Sequence, residues 1–282
     1  MAAASAATAR CGPDPLSTPA TDPGRWADLG PRLISGALMG GIGLVAIVLG
    51  GVWFQMLAVF ATAVMVWELW MMIEPGRPTP GMLLAAAVAS IMSGELMLLE
   101  PWALLLFLVV PVIGVIAVRR EKLTFFVFAL GIQVAGWGLV QFRGDYGFTW
   151  LVWLVLIVIA TDIFGYFAGK AIGGPKFWPR VSPKKTWAGT IAGWLAAGVV
   201  GFVFTLFTPA TMVIVLVSMV TSFASQMGDV AESALKRRMG VKDSSTLIPG
   251  HGGLFDRFDA LLGAALFMLL IAAVVDLPGL AF

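Results

Sequence analysis

Long apolar stretches, each close to the length of a membrane-crossing helix, dominate this sequence. A helix needs about 20 mostly apolar residues to cross the hydrocarbon core of a bilayer. Nine stretches of this kind occur, at residues 33–50, 52–73, 81–98, 102–118, 123–141, 149–169, 187–207, 209–230 and 257–278. We therefore predict an all-α fold: a polytopic membrane helix bundle of about nine transmembrane helices.

The composition excludes the soluble alternatives. Apolar residues make up 59% of the chain and charged residues 12%, whereas a soluble domain carries about 25% charged residues. Disorder, a coiled coil, a disulfide-rich secreted domain and a nucleic-acid-binding domain do not fit these values. One cysteine and one histidine allow neither an internal disulfide nor a His-rich metal cluster.

The basic residues predict the orientation, because Lys and Arg accumulate on the cytoplasmic side of a membrane. With the N-terminus inside and the loops counted alternately, every Lys and Arg except Arg143 falls on the inner side. This predicts an N-in, C-out, multi-pass protein of the inner (cytoplasmic) cell membrane.

The chain divides into three predicted regions. Residues 1–32 are polar and rich in Ala, Pro and Thr, which is typical of a disordered cytoplasmic tail and not of a signal peptide. Residues 33–148 hold transmembrane helices 1–5. Residues 149–282 hold helices 6–9 and two cytoplasmic loops, 170–186 and 229–259. Polar groups at one membrane face favour an enzyme over a transporter, whose chemistry lies near the bilayer midplane.

The loop at 170–186 contains five basic residues and no acid. Ser182 followed by Pro183 predicts the N-cap and first residue of the seventh helix. The free N–H groups of a helix N-terminus suit a phosphate, and Lys184 and Lys185 add positive charge. The alternative, which these residues leave open, is a plain helix cap with lysines that reach anionic lipid headgroups.

The loop at 229–259 begins with polar residues at helical spacing. Three- and four-residue spacing predicts that they share one face of a helix continuing from the eighth stretch. These residues are Asp229, Glu232, Ser233 and Lys236.

Two further acids, Asp256 and Asp259, share a face at the start of the ninth helix. Carboxylates at a membrane boundary are costly unless they are paired or bound to a cation. With Asp229 they supply three hard oxygen donors, the type that Mg²⁺ takes alongside substrate phosphates. The alternative is ion pairing with Lys236 and Arg257. Because the loop combines several acids, bases and glycines, we favour a polyphosphate-plus-metal site.

This loop resembles the signature of phosphatidate cytidylyltransferases, also called CDP-diacylglycerol synthases. Two other blocks, Asp162–Lys170 and Ser182–Thr186, look like further blocks of that family in the same order. Gly165 stands where alanine is expected, and Ala188 where an acid is frequent. The resemblance covers the chain from about residue 149. The matching positions of the loop are Ser233, Leu235, Lys236, Arg237, Lys242, Asp243, Ser245, Ile248, Pro249, His251, Gly252, Gly253, Leu254, Asp256, Arg257, Phe258 and Asp259.

The resemblance implies an integral membrane cytidylyltransferase that converts CTP and phosphatidic acid to CDP-diacylglycerol and pyrophosphate in phospholipid biosynthesis. The lipid phosphate would attack the α-phosphorus of CTP with metal assistance. The implied metal ligands, for Mg²⁺ with or without a second cation, are Asp229, Asp256 and Asp259. The implied catalytic residues are Asp229, Lys236, Arg237, Lys242, Asp243, His251 and Arg257. The implied substrate-binding residues are Asp162, Ser182, Lys184, Lys185 and Thr186.

Several roles stay open at this point. Asp162 either lines the site or pairs with a base on a neighbouring helix, and His251 either orients a phosphate or bonds to its own loop. Glu68 and Glu95 are interpreted as structural or snorkelling residues. The predicted partners are CTP, phosphatidic acid and the bilayer, without nucleic acid, and a homodimer is left open.

Two rival functions belong to other classes. A flippase for an anionic lipid would use the basic loops for recognition only. A CDP-alcohol phosphotransferase is disfavoured, because the spaced Asp-Gly…Ala-Arg…Gly…Asp…Asp pattern of that family is absent.

Overall fold

The computed structural model describes residues 29–98, 101–248, 250 and 252–274. The predicted tail up to residue 28 and His251 lie outside the described residues. The helices are α1 (Leu29–Leu49), α2 (Gly51–Ile73), α3 (Pro78–Leu98), a 3₁₀-helix (Pro101–Leu108), α4 (Val109–Ala117), α5 (Lys122–Ala171), α6 (Trp187–Thr205), α7 (Val213–Met239) and α8 (Phe255–Val274). The strands are β1 (Lys176–Trp178) and β2 (Ser182–Thr186).

Five of these helices, α2, α3, α5, α6 and α7, are long and apolar enough to cross a membrane. The predicted membrane helix bundle is therefore supported, while the number of crossings and their direction stay predictions. The observed helices begin and end within a few residues of most predicted stretches. α7 differs most, because it begins later and continues beyond the predicted end to Met239.

The 50-residue helix α5 is bent at Gly147, where φ is 84° and ψ is −175°. Glycine adopts this conformation readily because it has no Cβ. A straight helix of this length would span about 75 Å, more than twice the roughly 30 Å of the hydrocarbon core. The two arms of α5 correspond to the predicted stretches 123–141 and 149–169.

Glycines allow close packing of the helices that follow the bend. A Cβ atom on Gly189 of α6 would collide with the carbonyl oxygen of Gly165 on α5, and one on Gly193 would press on Gln226 of α7. Gly228 of α7 and Gly263 of α8 approach each other in the same way. Small residues of this kind let membrane helices approach closely, so α5 to α8 form one tightly packed unit.

Contacts between loops group the helix ends into two faces. At one face Arg77, after α2, donates to the carbonyl of Ala117 at the end of α4 (3.0 Å). There too, Arg238 of α7 pairs with Glu121, just before α5 (2.7 Å). Arg143, about 30 Å further along α5 by helix rise, instead donates to the carbonyl of Ile47 near the end of α1 (3.2 Å).

Glu121 combines an unusual backbone with two side-chain partners. Its φ of 59° is left-handed. Its carboxylate accepts from the Thr124 hydroxyl (2.7 Å) as well as from Arg238. These two hydrogen bonds lower the pKa of the Glu121 carboxyl.

The predicted helix start at Ser182 is wrong. Ser182–Thr186 forms strand β2, which pairs antiparallel with β1 through Lys176 opposite Thr186 and Trp178 opposite Ser182. Thr186 is the N-cap of α6, and its hydroxyl accepts from the amide of Gly189 (3.2 Å). Pro183 fits the edge of a two-stranded hairpin as well as it fits a helix start, so Ser-Pro alone could not distinguish the two.

Candidate active site

Three carboxylates meet between α7 and α8, and we call them the acid cluster: Asp229, Glu232 and Asp259. One oxygen from each lies within 4.8 Å of the others. Three-residue spacing places Asp229 and Glu232 on the same face of α7. The close approach of Gly228 to α8 brings the third acid to that face. The cluster is the kind of group that could hold a metal ion.

A lysine from the hairpin reaches the exposed side of the acid cluster. The ammonium of Lys185 lies 2.5 Å from Asp229 and 3.3 Å from the carbonyl oxygen of Gln226. Asp162 of α5 is near enough for its charge to interact with those of Asp229 and Lys185. The role of Asp162 therefore stays a prediction.

Glu232 is the most enclosed member of the cluster, with 1% of its area exposed. Its neighbour Lys236 lies 2.5 Å from one carboxylate oxygen, at ion-pair distance. The other oxygen of Glu232 receives no hydrogen bond from any described residue. Three carboxylates this close together repel one another, and a divalent cation would offset that cost. The residues present therefore fit a hard cation.

Asp256 has a different environment from the cluster. One of its oxygens accepts from the amide of Ser244, the hydroxyl of Ser244 and the amide of Gly253, each at 2.8 Å. The other accepts from Lys236 at 2.7 Å. Both oxygens are thus occupied by donors that fix the loop before α8. The structure groups Glu232, rather than Asp256, with the other two acids.

Glu68 contacts the loop that precedes α8, a contact that the sequence did not predict. It lies on α2 with none of its area exposed. Its carboxylate accepts from the Ser245 hydroxyl (2.6 Å) and from the amides of Leu254 (2.9 Å) and Phe255 (2.7 Å). The available signal was an acid within an apolar stretch, which marks a functional hypothesis but names no partner. The structural interpretation of Glu68 is supported, and snorkelling is excluded by its burial.

The remaining predicted residues of the second loop surround this framework. Their side chains are exposed at the end of α7, in the loop after it and on the first turn of α8: Arg237, Lys242, Asp243 and Arg257. In the hairpin, Lys184 is exposed and Ser182 half-buried, while Thr186 is buried as the cap of α6.

Comparisons with known proteins extend the resemblance along the chain. The family described as "Cytidylyltransferase family" matches residues 31–275. A phosphatidate cytidylyltransferase of Brucella abortus (strain 2308) is 36% identical over 260 residues, which cover 89% of this chain and 96% of the relative. That of Bacillus subtilis (strain 168) is 38% identical over 133 residues, 46% of this chain and 49% of the relative.

A third relative, the phosphatidate cytidylyltransferase of Haemophilus influenzae, is 43% identical over 129 residues, 43% of this chain and 45% of the relative. The match of the family to almost the whole chain includes the N-terminal helices, for which the sequence motifs gave no resemblance. The chain therefore belongs to the cytidylyltransferase family, a family of nucleotidyltransferase enzymes.

Proposed function

We propose that this protein is a phosphatidate cytidylyltransferase, which joins CTP and phosphatidic acid to give CDP-diacylglycerol and pyrophosphate in phospholipid biosynthesis. The observation that carries the proposal is the acid cluster, placed with two lysines at one end of a membrane helix bundle. The Brucella abortus relative, which bears the name of this activity, matches 89% of the chain.

In the proposed reaction an oxygen of the lipid phosphate attacks the α-phosphorus of CTP. A new P–O bond forms, the bond from the α-phosphorus to the bridging oxygen breaks, and pyrophosphate leaves. A phosphate monoester is already largely ionised at neutral pH, since its second pKa is about 6. The protein therefore needs no strong base, and positioning and charge stabilisation are its main contributions.

Asp229, Glu232 and Asp259 are the residues that would hold Mg²⁺. When bound there, the ion supplies positive charge beside the triphosphate and offsets the charge that develops during transfer. Asp256 would not contact the ion. It would instead hold Lys236 and the loop before α8 in place.

The basic side chains would bind phosphate oxygens. Lys185 and Lys236 each lie at ion-pair distance from an acid of the cluster, so they are placed to contact a triphosphate bound beside it. Four exposed bases would add further phosphate contacts: Lys184, Arg237, Lys242 and Arg257.

The hairpin suits a lipid substrate. Its exposed Trp178 lies between Lys176 and Arg180, and on α5 the ammonium of Lys170 lies 5.8 Å from the centre of the Tyr166 ring. Aromatic and basic side chains together are typical of a membrane interface facing anionic lipid. We expect phosphatidic acid to approach the acid cluster from this side.

The proposed topology has nine crossings, with the N-terminus and the active site on the cytoplasmic face of the inner membrane. Its support is geometric. Loops that the prediction assigns to one side meet, as Glu121 meets Arg238. Arg143, assigned to the opposite side, lies beside the end of α1.

The direct test is the protein purified in detergent with CTP, Mg²⁺ and phosphatidic acid, followed by mass spectrometry of the lipid product. We expect CDP-diacylglycerol and pyrophosphate when all three are present. Omission of Mg²⁺, or diacylglycerol in place of phosphatidic acid, is the control and should give neither. Lipid movement across vesicles without pyrophosphate release would instead indicate the flippase alternative.

A further inference from the structure

We propose that Glu68 is a positioning residue for the active site. Although it belongs to the N-terminal helices, it holds the loop from Ser244 to Phe255 and the first turn of α8 in the arrangement that the acid cluster requires. This inference rests on the proposed function for its kinetic readout, and its structural readout is independent of that function.

The contacts of Glu68 are those of a helix cap supplied by another helix. The first amides of a helix have no partner within it, and negative charge near them is stabilising. The amides of Leu254 and Phe255 donate to different oxygens of Glu68, at 2.9 and 2.7 Å. The Ser245 hydroxyl adds a third donor at 2.6 Å. The start of α8 is therefore fixed to α2.

The loop backbone approaches Glu68 too closely for any side chain between them. A Cβ atom on Gly253 would collide with both the Ser244 hydroxyl and the Glu68 carboxylate. Phe255, which is 2% exposed, packs edge-on against Phe128 of α5 at 6.3 Å. Shape and hydrogen bonding thus specify one position of this loop against the N-terminal helices.

A continuous series of contacts joins this loop to the acid cluster. The Ser244 hydroxyl lies 3.5 Å from Glu68 and 2.8 Å from Asp256, and its single proton goes to the nearer acceptor. Asp256 in turn binds Lys236 at 2.7 Å, and Lys236 contacts Glu232 of the cluster. Glu68 is not a member of the cluster, so it acts through these residues and not on the substrate.

The test compares Glu68→Gln with Glu95→Gln as a matched control. Glu95 of α3 is also a buried acid of the N-terminal half, with 4% of its area exposed, and it makes no described contact with the loop. Glutamine keeps the size of Glu68 but places an NH₂ group against the donors of the loop. In the full-length purified protein we expect Glu68→Gln to raise the Mg²⁺ concentration for half-maximal activity, or the KM for CTP, at least tenfold.

Hydrogen exchange supplies the structural readout. We expect faster exchange of the amides of Leu254 and Phe255 in Glu68→Gln, with no change in Glu95→Gln. A residue that merely stabilises the bundle would lower the amount of folded enzyme but leave KM, the Mg²⁺ requirement and loop exchange at their wild-type values. That result, or equal effects of the two variants, would overturn the proposal.

Two further variants keep the test decisive if Glu68→Gln does not fold. Ser245→Ala removes one donor, and Gly253→Ala displaces the loop without altering a charge. Each should raise the Mg²⁺ requirement and speed the exchange of the same two amides. Wild-type behaviour of both variants would reject the positioning role. If the wild-type protein shows no cytidylyl transfer, the proposed function is wrong. The hydrogen-exchange result would still decide whether Glu68 holds the loop.

Discussion

Two groups of carboxylates lie at the same end of this bundle and differ in how their oxygens are satisfied. Asp256 and Glu68, which we call the loop acids, accept three or more hydrogen bonds each from the loop and its neighbours. In the acid cluster, by contrast, Glu232 and Asp229 each pair with one lysine, one oxygen of Glu232 receives no hydrogen bond from the described residues, and Asp259 accepts one from its neighbour Ala260. Acids whose oxygens are fully hydrogen-bonded fix a structure, whereas acids held close together with fewer donors retain the capacity to bind a cation.

The largest expected effect tests the acid cluster. Asp259→Asn keeps the size of the side chain but removes the charge that a hard cation needs. We expect activity to fall by several orders of magnitude, with a thermal midpoint equal to or above that of wild type, because like charges are relieved. In wild type, Mg²⁺ should raise the midpoint by binding the folded state, and this rise should disappear in the variant.

One result would show that Asp259 does not bind the metal ion. If Asp259→Asn keeps more than about a tenth of wild-type kcat at saturating Mg²⁺, a change of under about 1.4 kcal/mol in the barrier, Asp259 is not a ligand. Glu232→Gln is the second test of the same cluster and should behave like Asp259→Asn.

The matched substitution Asp256→Asn should show the opposite pattern. It weakens several hydrogen bonds to a charged group, each of which contributes about 1.5–3 kcal/mol. We expect a lower thermal midpoint and a smaller loss of activity per folded molecule than in Asp259→Asn. A variant as stable as wild type but inactive would return Asp256 to the metal-ligand set that the sequence predicted.

Replacing the two hairpin lysines should reduce activity less than replacing a cluster acid, and by different amounts for the two lysines. Lys185→Ala removes the ammonium beside Asp229, and we expect activity to fall at least tenfold, about 1.4 kcal/mol in the barrier. Lys184→Ala changes an exposed side chain and should cost less. Steady-state rates on mixed micelles measure both, and full activity in both variants would favour the lipid-headgroup interpretation of this loop.

We expect the smallest effect on activity from a substitution of Glu121. Its carboxylate is bound by Thr124 and Arg238 but lies at the surface, away from the acid cluster. Glu121→Gln should leave activity and the Mg²⁺ requirement unchanged. Its folded-state pKa is lowered, so its stabilising contribution is present at neutral pH and is lost as the pH falls through that lowered pKa. The thermal midpoints of wild type and Glu121→Gln should therefore differ slightly at pH 7 and become equal at acidic pH. A difference between them that grows at acidic pH would contradict this prediction.

The sequence predicted most of the helices and the two acids of the cluster that lie on α7. Apolar stretches of the right length located most of the helices, and three- and four-residue spacing placed Asp229 and Glu232 together. Spacing could not decide which acid of α8 turns towards them, because Asp256 and Asp259 lie on the same side of that helix. The difference depends on the donors of Ser244 and Gly253, which no local pattern specifies.

Two other features had no usable sequence signal. The hairpin at 176–186 is formed by residues whose Ser-Pro pair also fits a helix start, so local propensity was ambiguous. The contacts of Glu68 depend on residues far along the chain, and a lone acid in an apolar helix does not identify them.

The separation of Glu68 from its partners also has a consequence for biosynthesis. Its three donors follow it by 177 to 187 residues, and synthesis at about 5–20 residues per second delays their arrival by about 10–35 s. During that interval the Glu68 carboxyl lacks the donors that will later satisfy it. A chain that ends at the bend of α5 would lack these donors altogether, so the N-terminal helices reach their final arrangement around Glu68 only after the C-terminal half has been made.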